Sequence, residues 1–396
     1  MIDFLGQAQE LFPYTQVLRR DFHMHPELGF HEIRTAGIVA RELRALDMEV
    51  TTGIAKTGVV GLLEGARPGP VILVRFDMDA LPVTEETGAA YASTIPGVMH
   101  ACGHDGHTAI GLTVAKMLHS HREKLAGTVK FVFQPAEEGT CGEEIGGAER
   151  MMREGVLENP KPDLALALHL WNEKPFGWVH VAPGAVMAGA EEFKITVTGR
   201  GGHGAIPHGA VDPLLAASQI VTALQSITSR NVAPLQAAVV SVTMIHGGET
   251  FNVIPPEVRM EGTIRSFEPA VREIVLRRFE EIVSGVAAAM GCRADVKVKR
   301  LTPAMINADE IVRRVQEVTR RTLPEADLDT ASNLTMGAED MAFMLEQVPG
   351  CYFFVGSANR EKGLDYGHHH PKFDFDEAAL PRAAALMASA VANFLK

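Results

Sequence analysis

Three short apolar runs constrain this chain more than any other feature. Val71 to Phe76 (VILVRF), Val129 to Phe133 (VKFVF) and Leu164 to Leu168 (LALAL) are nearly continuous in apolar side chains. A strand with one wet face alternates polar and apolar residues, whereas a continuous run needs cover on both faces. That is the pattern of a buried, mostly parallel strand. Helical stretches fit between and before these runs. Gly106 to His119 reads as a helix, and Phe4 to Met48 reads as helical throughout, with Leu43 and Leu46 on a face that Arg41, Glu42 and Arg44 avoid. Val59 to Leu63 adds a further strand. The alternation predicts an α/β fold, a sheet with helices on both faces.

The texture changes near Met187. Glu192 to Thr198 alternates polar and apolar residues, as a half-buried strand does. A Gly-rich turn and an apolar helix from Pro213 to Ser226 follow. Val239 to Met244 and Val258 to Arg265 read as strands, and Val271 to Met290 as a helix. Two helices and several alternating strands suffice for a small α+β unit. A chain of 396 residues is also long for one core. The expectation is a two-domain protein. Residues 1–186 and 300–396 form the first domain, and 187–299 form a smaller inserted α+β domain.

The formal net charge of -12 repels nucleic-acid phosphate and anionic lipid, so neither is expected as a partner. The start of the chain carries Asp3 and Glu10 and does not read as a secretory signal. No apolar run approaches the length of a membrane span. Four scattered cysteines, Cys102, Cys141, Cys292 and Cys351, do not make a disulfide framework. A cytoplasmic location is the expectation.

Polar clusters follow the buried runs. Asp77 and Asp79 close the first, Glu137 and Glu138 follow the second, and His169 is read as ending the third. Open α/β sheets place their sites at such strand ends. His100, His104 and His107 crowd one turn with Cys102 and Asp105, and His368, His369 and His370 precede Pro371. A divalent metal needs N, S or O donors gathered within about 2.0–2.3 Å of it. Cys102 and His104 flank a glycine, so both can face one ion. The neighbouring carboxylates of Glu137 and Glu138 can diverge, one binding metal while the other holds a proton. Hydrolysis requires that division: metal acidifies a water and polarises a carbonyl, and a carboxylate carries the proton.

Each piece alone has an ordinary explanation. Cys102 alone is a small buried hydrophobe, the paired glutamates a solvated loop, His169 a core histidine, and the triple histidine a surface run. Their joint occurrence beside separate strands favours a metal site. In the second domain, His203 lies in GRGGHGAIP, where glycines let a backbone approach a ligand and a histidine can donate to an oxyanion. Asn252 and Arg265 are candidates for a substrate carboxylate, which suits the planar fork of an arginine. Turn or surface roles are the alternative for all three.

Taken together, the motifs resemble the M20 peptidase family. They run in order as RRDFHMHPELGFHE from Arg19, RFDMDALPV, MHACGHDGH, QPAEEG, LHLW, GRGGHGAIPH, NVIP and HHPKFDF. The resemblance is to the amidohydrolase branch, which includes hippurate hydrolases, N-acyl-amino-acid amidohydrolases and plant auxin-conjugate hydrolases. It implies a two-metal catalytic domain with an inserted dimerisation domain, and a homodimer or higher homo-oligomer. It implies Cys102, His104, Glu138, His169 and His369 as metal ligands, with Cys102 bridging two divalent ions (zinc, manganese, cobalt or nickel). Glu137 matches the general base and Asp79 a supporting aspartate. His203 matches a histidine that reaches the partner subunit's site in dimeric relatives, and Asn252 and Arg265 match substrate-binding positions. His368 departs from the pattern, since an apolar residue is expected there. The implied reaction is hydrolysis of a small-molecule N-acyl-amino acid to a carboxylic acid and an amino acid. A dipeptidase or carboxypeptidase, or a deacetylase of an amino-acid precursor, would use the same centre. A non-catalytic scaffold with a structural metal is the remaining alternative. A second carboxylate beside Glu138 argues against it, because a closed structural site has no use for a base.

Overall fold

A computed structural model describes residues 2–331 and 335–396. Its contacts divide the chain into two compact units. The first is Met1–Gly184, Ile306–Asn333 and Asp340–Lys396, and the second is Ala185–Met305 with Leu334–Glu339.

The first unit is built on an eight-stranded mixed sheet. Its strands are β1 (Glu49–Ile54), β2 (Gly58–Glu64), β3 (Arg67–Asp77), β4 (Ala126–Gln134), β5 (Leu164–Pro175), β6 (Trp178–His180), β7 (Asp327–Asp329) and β8 (Gly350–Ala358), in the spatial order β1-β2-β4-β3-β5-β8-β6-β7. The three apolar runs of the sequence form the centre, where β4, β3, β5 and β8 pair in parallel. Register places Asp77 opposite Gln134, so the turns after β3 and β4 emerge side by side.

One expectation fails here. The third run does not end at His169. β5 runs on to Pro175 because β8 continues to pair with it, with His169 opposite Phe354. Pairing with β3 stops earlier, at Arg75 opposite Ala167. His169 therefore stands inside a strand, past the last pairing with one neighbour and still paired with the other.

The N-terminal stretch read as helical forms three helices, α1 (Phe4–Glu10), α2 (Phe12–Met24) and α3 (Ile33–Arg44). Pro13, in the first turn of α2, cannot donate into a preceding helix. Pro26 disfavours helical backbone at His25 and ends α2. The segment between α2 and α3 is left free to cross towards the strand ends.

α4 (His104–His119) is buried along its whole length except at Lys116 and His119. A helix enclosed this way has no polar face to offer, which explains its run of Ala, Ile, Leu, Val and Met. It lies so close to the sheet that a Cβ on Gly111 would stand 2.6 Å from the Phe76 ring. Each buried phenylalanine of this layer, Phe76, Phe131 and Phe133 among them, contributes roughly 1.5–3 kcal/mol by leaving water. α5 (Asp309–Thr322), α6 (Ala379–Phe394) and the short helices Gly147–Arg153 and Met341–Leu345 also belong to the unit.

The second unit has a four-stranded antiparallel sheet in the order Ala238–His246, Glu257–Ser266, Gly189–Thr198, Arg293–Thr302, with helices Pro213–Ser226 and Pro269–Ala289. Inward residues of the alternating strands, including Phe193, Ile195, Val197 and Ile264, meet Ile220, Leu224, Val275 and Phe279 of the helices in a separate core. Among the described residues, no helix is long and apolar enough to cross a membrane.

Candidate metal centre

The turn before α4 delivers the first two site residues. Gly103 has φ +91°, a left-handed conformation that disfavours any side chain. The backbone, not space, demands glycine there, since a Cβ would find its nearest neighbour at 3.7 Å. This turn sets Cys102 on one side and His104, the first residue of α4, on the other.

Hydrogen bonds orient each imidazole before any ion is considered. His104 Nδ1 donates to the Asp79 carbonyl at 3.0 Å and to Asp79 Oδ1 at 3.2 Å. Its Nε2 is buried without a hydrogen-bond partner, 3.8 Å from Glu138 Oε1 and 3.9 Å from Glu137 Oε2. His169 Nδ1 lies 2.5 Å from the Leu170 carbonyl, which turns its Nε2 lone pair to Cys102 Sγ at 3.5 Å. Fixing one nitrogen so that the other presents a lone pair is the usual arrangement behind metal-binding histidines.

His107 is the contrasting case. It lies close to Asp77 and His104, a grouping whose donor atoms fall within 4.8 Å of one another. Yet its Nδ1 meets Asp77 Oδ1 at 2.7 Å, and its Nε2 accepts the Leu170 N–H at 2.9 Å. The second oxygen of Asp77 takes Arg75 at 2.7 Å. With both nitrogens engaged, His107 ties α4 to β5 and leaves no lone pair for an ion.

The turn after β4 carries the carboxylates. Ala136 has φ +48°, which is uncommon for a residue other than glycine. Its N–H donates to Glu32 Oε1 at 2.9 Å, and Glu32 Oε2 takes the Thr57 hydroxyl at 2.5 Å. Two residues on, the Glu138 N–H donates to Asp79 Oδ2 at 2.9 Å. The turn is thus held from both sides by buried carboxylates. Glu137 and Glu138 do not diverge as the sequence suggested, because both reach the same His104 nitrogen within 4 Å. His369, also at positive φ (+66°), brings its Nε2 to 3.4 Å from Glu138 Oε2.

Three overlapping sets of donors result: Cys102 with His104 and His169, Cys102 with Glu138 and His369, and His104 with Glu137 and Glu138, each within 4.8 Å. Cys102 belongs to the first two. The electrostatics fit a cation. Glu138 Oε1 and His104 Nε2 are both buried without partners, a costly state that an ion between them relieves. Burial alone would lower the His104 pKa, but the carboxylates of Asp77, Asp79 and Glu138 overcome it and raise the pKa to about 10. Burial, then Glu138, Glu137 and Asp77, push the Cys102 thiol well above its usual range. A site this acidic holds protons where it would otherwise hold metal.

Behind the turn lies a network that the sequence signalled only weakly. Arg19, fully buried, donates to Asp105 at 2.8 Å, Asp374 at 2.7 Å and Glu377 at 3.2 Å, while His23 Nδ1 meets Asp105 at 2.8 Å. Asp105 follows His104 directly, so this network fixes the start of α4. The available signal was RRDFH itself, an arginine and a histidine on the helix face that Leu18 and Phe22 bury. Arg75 is similar: a charge inside a buried strand, its guanidinium shared among Gln134, Asp77 and Asp340.

The second unit holds His203, Asn252 and Arg265. His203 pairs with Val253 in a two-stranded ribbon, and Gly204 N–H donates to the Asn252 carbonyl at 2.8 Å, so His203 and Asn252 are neighbours. His203 is exposed. Its Nδ1 accepts the Ala205 N–H at 3.0 Å, which leaves the ring proton of the neutral form on Nε2. Arg265, half-buried on the sheet, donates to Thr263 and to the Ile264 carbonyl.

Residues 73–393 match the profile of peptidase family M20/M25/M40. An N-acetylcysteine deacetylase of Bacillus subtilis is 37% identical, over 94% of this chain and 94% of its own length. An IAA-amino acid hydrolase of Arabidopsis thaliana is 37% identical, over 99% of this chain and 87% of its own. Among solved structures, a dinuclear metal binding peptidase of the M20 family from Bacillus subtilis superposes with a TM-score of 0.85 at 33% identity, covering 98% of this chain and 99% of that one.

Proposed function

This chain belongs to peptidase family M20/M25/M40 and is a metal-dependent hydrolase of amides, and from that premise we propose that it cleaves N-acyl-amino acids into a carboxylic acid and an amino acid. The observation that carries the reading is Cys102, the member common to two donor sets, with a second carboxylate beside the one those sets use. In this reading Cys102, His104, Glu138, His169 and His369 would hold the two divalent ions. When bound, the ions acidify a water and polarise the scissile carbonyl. Thiolate and imidazole favour zinc, with manganese, cobalt and nickel as alternatives.

The chain supplies the rest. Glu137 takes the proton of the attacking water and returns it to the departing nitrogen. Asp79 keeps His104 turned towards the site and holds the Glu138 backbone. In the second unit His203 donates its Nε2 proton to the carbonyl oxygen as charge develops there. Arg265 and Asn252 receive the substrate carboxylate. The protein works as a homodimer, and His203 serves the partner's centre. Two relatives support the substrate class by name, one a deacetylase of an N-acetyl amino acid and the other a hydrolase of an amino-acid conjugate.

The test is turnover on acetyl, benzoyl and indoleacetyl amino acids beside free dipeptides, with each metal added to protein stripped of its ions. Faster cleavage of acyl-amino acids than of dipeptides is expected. Preference for dipeptides would sink the substrate assignment while leaving the metal centre in place.

A further inference from the structure

His368 stands where an apolar residue is expected before the ligand histidine. Its ring packs among His169, Trp171 and Phe373 at centroid separations of 5.0, 5.0 and 5.1 Å. An apolar side chain would fill such a place. What a histidine adds is two nitrogens, and both have an assigned direction. The Asn172 N–H donates to His368 Nε2 at 3.1 Å. A backbone N–H can only donate, so Nε2 is the acceptor and the neutral ring carries its proton on Nδ1. That Nδ1 faces Cys102, 3.8 Å from its Sγ and shared with its backbone carbonyl.

The donor behind it is itself fixed. Asn172 is buried; its Nδ2 donates to the Tyr366 and Asp374 carbonyls at 2.7 and 3.0 Å, and its Oδ1 accepts from Ser357 at 3.0 Å. An ordered line therefore runs from Ser357 through Asn172 and His368 to the sulfur. Because Nε2 is already an acceptor within the protein, His368 is not available as a metal ligand. Hydrogen bonds to a coordinating sulfur draw electron density from it and fix its lone pairs in direction.

We propose that His368 is a positioning residue that donates its Nδ1–H to the Cys102 thiolate and holds that sulfur between the two donor sets. The proposal rests on Cys102 being a ligand. It predicts a property of the sulfur itself, which packing alone would not alter.

The experiment loads the full-length protein with cobalt and records the near-ultraviolet thiolate-to-cobalt charge-transfer band, together with the rate of cobalt loss to a chelator. Parent, H368L and H368N are compared. Leucine keeps the packing and removes the donor. Asparagine can place an N–H near the position of Nδ1 while its oxygen takes the Asn172 N–H. H368L should bind two ions, show the band at lower energy and lose cobalt about 10–100-fold faster, and H368N should move both readings back towards the parent. An H368L band and chelation rate equal to the parent's would overturn the proposal. So would an H368N that follows H368L, since packing would then be the cause. A fully loaded parent with no thiolate band would remove Cys102 as a ligand, and this inference with it.

Discussion

The two units treat their candidate site residues in opposite ways. In the first unit Asp79, His104 and His169 are buried and committed before substrate arrives, Cys102, Glu137 and Glu138 are partly buried, and His369 stands at the exposed edge. Asp79 has His104 and the Glu138 N–H, His169 has the Leu170 carbonyl, and Glu32 and Asp79 clamp the turn that carries the two glutamates. In the second unit His203 and Asn252 are exposed, held through a local turn and the short ribbon that pairs their two segments. Their sequence motifs were equally distinctive. The difference teaches that similar motifs can serve opposite mechanical needs. Residues that hold an ion must be arranged in advance, whereas residues that grip a passing substrate can stay solvated until it binds.

The contrast can be broken by experiment. Its sharpest expression is E137Q, which keeps the shape of the turn and removes the base. Turnover should fall roughly 10²–10⁴-fold while elemental analysis still finds a full metal complement; near-parental turnover would remove Glu137 from its role. R19M comes next, and acts on stability. It removes the buried cation that Asp105, Asp374 and Glu377 share, leaving them His23, Tyr91 and Arg20 respectively, and urea unfolding should show a loss of about 3–5 kcal/mol. A loss below about 1 kcal/mol would mean that the network does not brace the first unit as described.

H203Q should do the reverse of R19M. A drop of about 10²-fold in kcat is expected, with stability changed by no more than about 0.5 kcal/mol because the residue is exposed. Co-expressing H203Q and E137Q chains sharpens this. If His203 acts across the dimer, mixed dimers regain one complete site, and roughly a quarter of parental activity returns in a statistical mixture. Two inactive parents giving an inactive mixture would place His203 in its own chain's site.

The smallest effect concerns Glu32. Burial, then the charge of Asp79, hold its carboxyl at about 7, above the ordinary 4.5. The folded state therefore keeps a proton that the unfolded chain has lost. That contribution is fully present below the lower value and vanishes as pH rises through the upper one. Glutamine has no proton to lose, so the Tm of E32Q relative to the parent should climb between pH 4.5 and about 7. A flat difference across that window would show that Glu32 carries no raised pKa.

Much of this was legible in the sequence, and the rest was hidden for identifiable reasons. The central strands announced themselves because burial on both faces leaves little room for polar residues. Cys102, His104, Glu137, Glu138 and His369, whose donor atoms the structure brings close together, stood out because such residues cluster in turns of the sequence. The course of β5 was hidden, because whether a strand stops at His169 depends on a neighbour, β8, that is contributed by distant residues 350–358. The break at Leu11 was hidden by an apolar face that continues across it. The convergence of Glu137 and Glu138 was hidden because it depends on Glu32 and Asp79, each far off in the chain. Periodicity reports how much of a residue is covered, not which residue covers it.

Arg19 carries a last consequence, and it is one of timing. Its partners Asp374 and Glu377 lie 355 and 358 residues further along the chain. During synthesis the arginine waits through those 355 residues before the two acids are made. The brace behind His104 therefore closes only once the segment that also brings His369 has docked. Assembly of the centre is in this way made a late event, and a truncated or half-made chain has its N-terminal pieces in hand without a finished place to hold an ion.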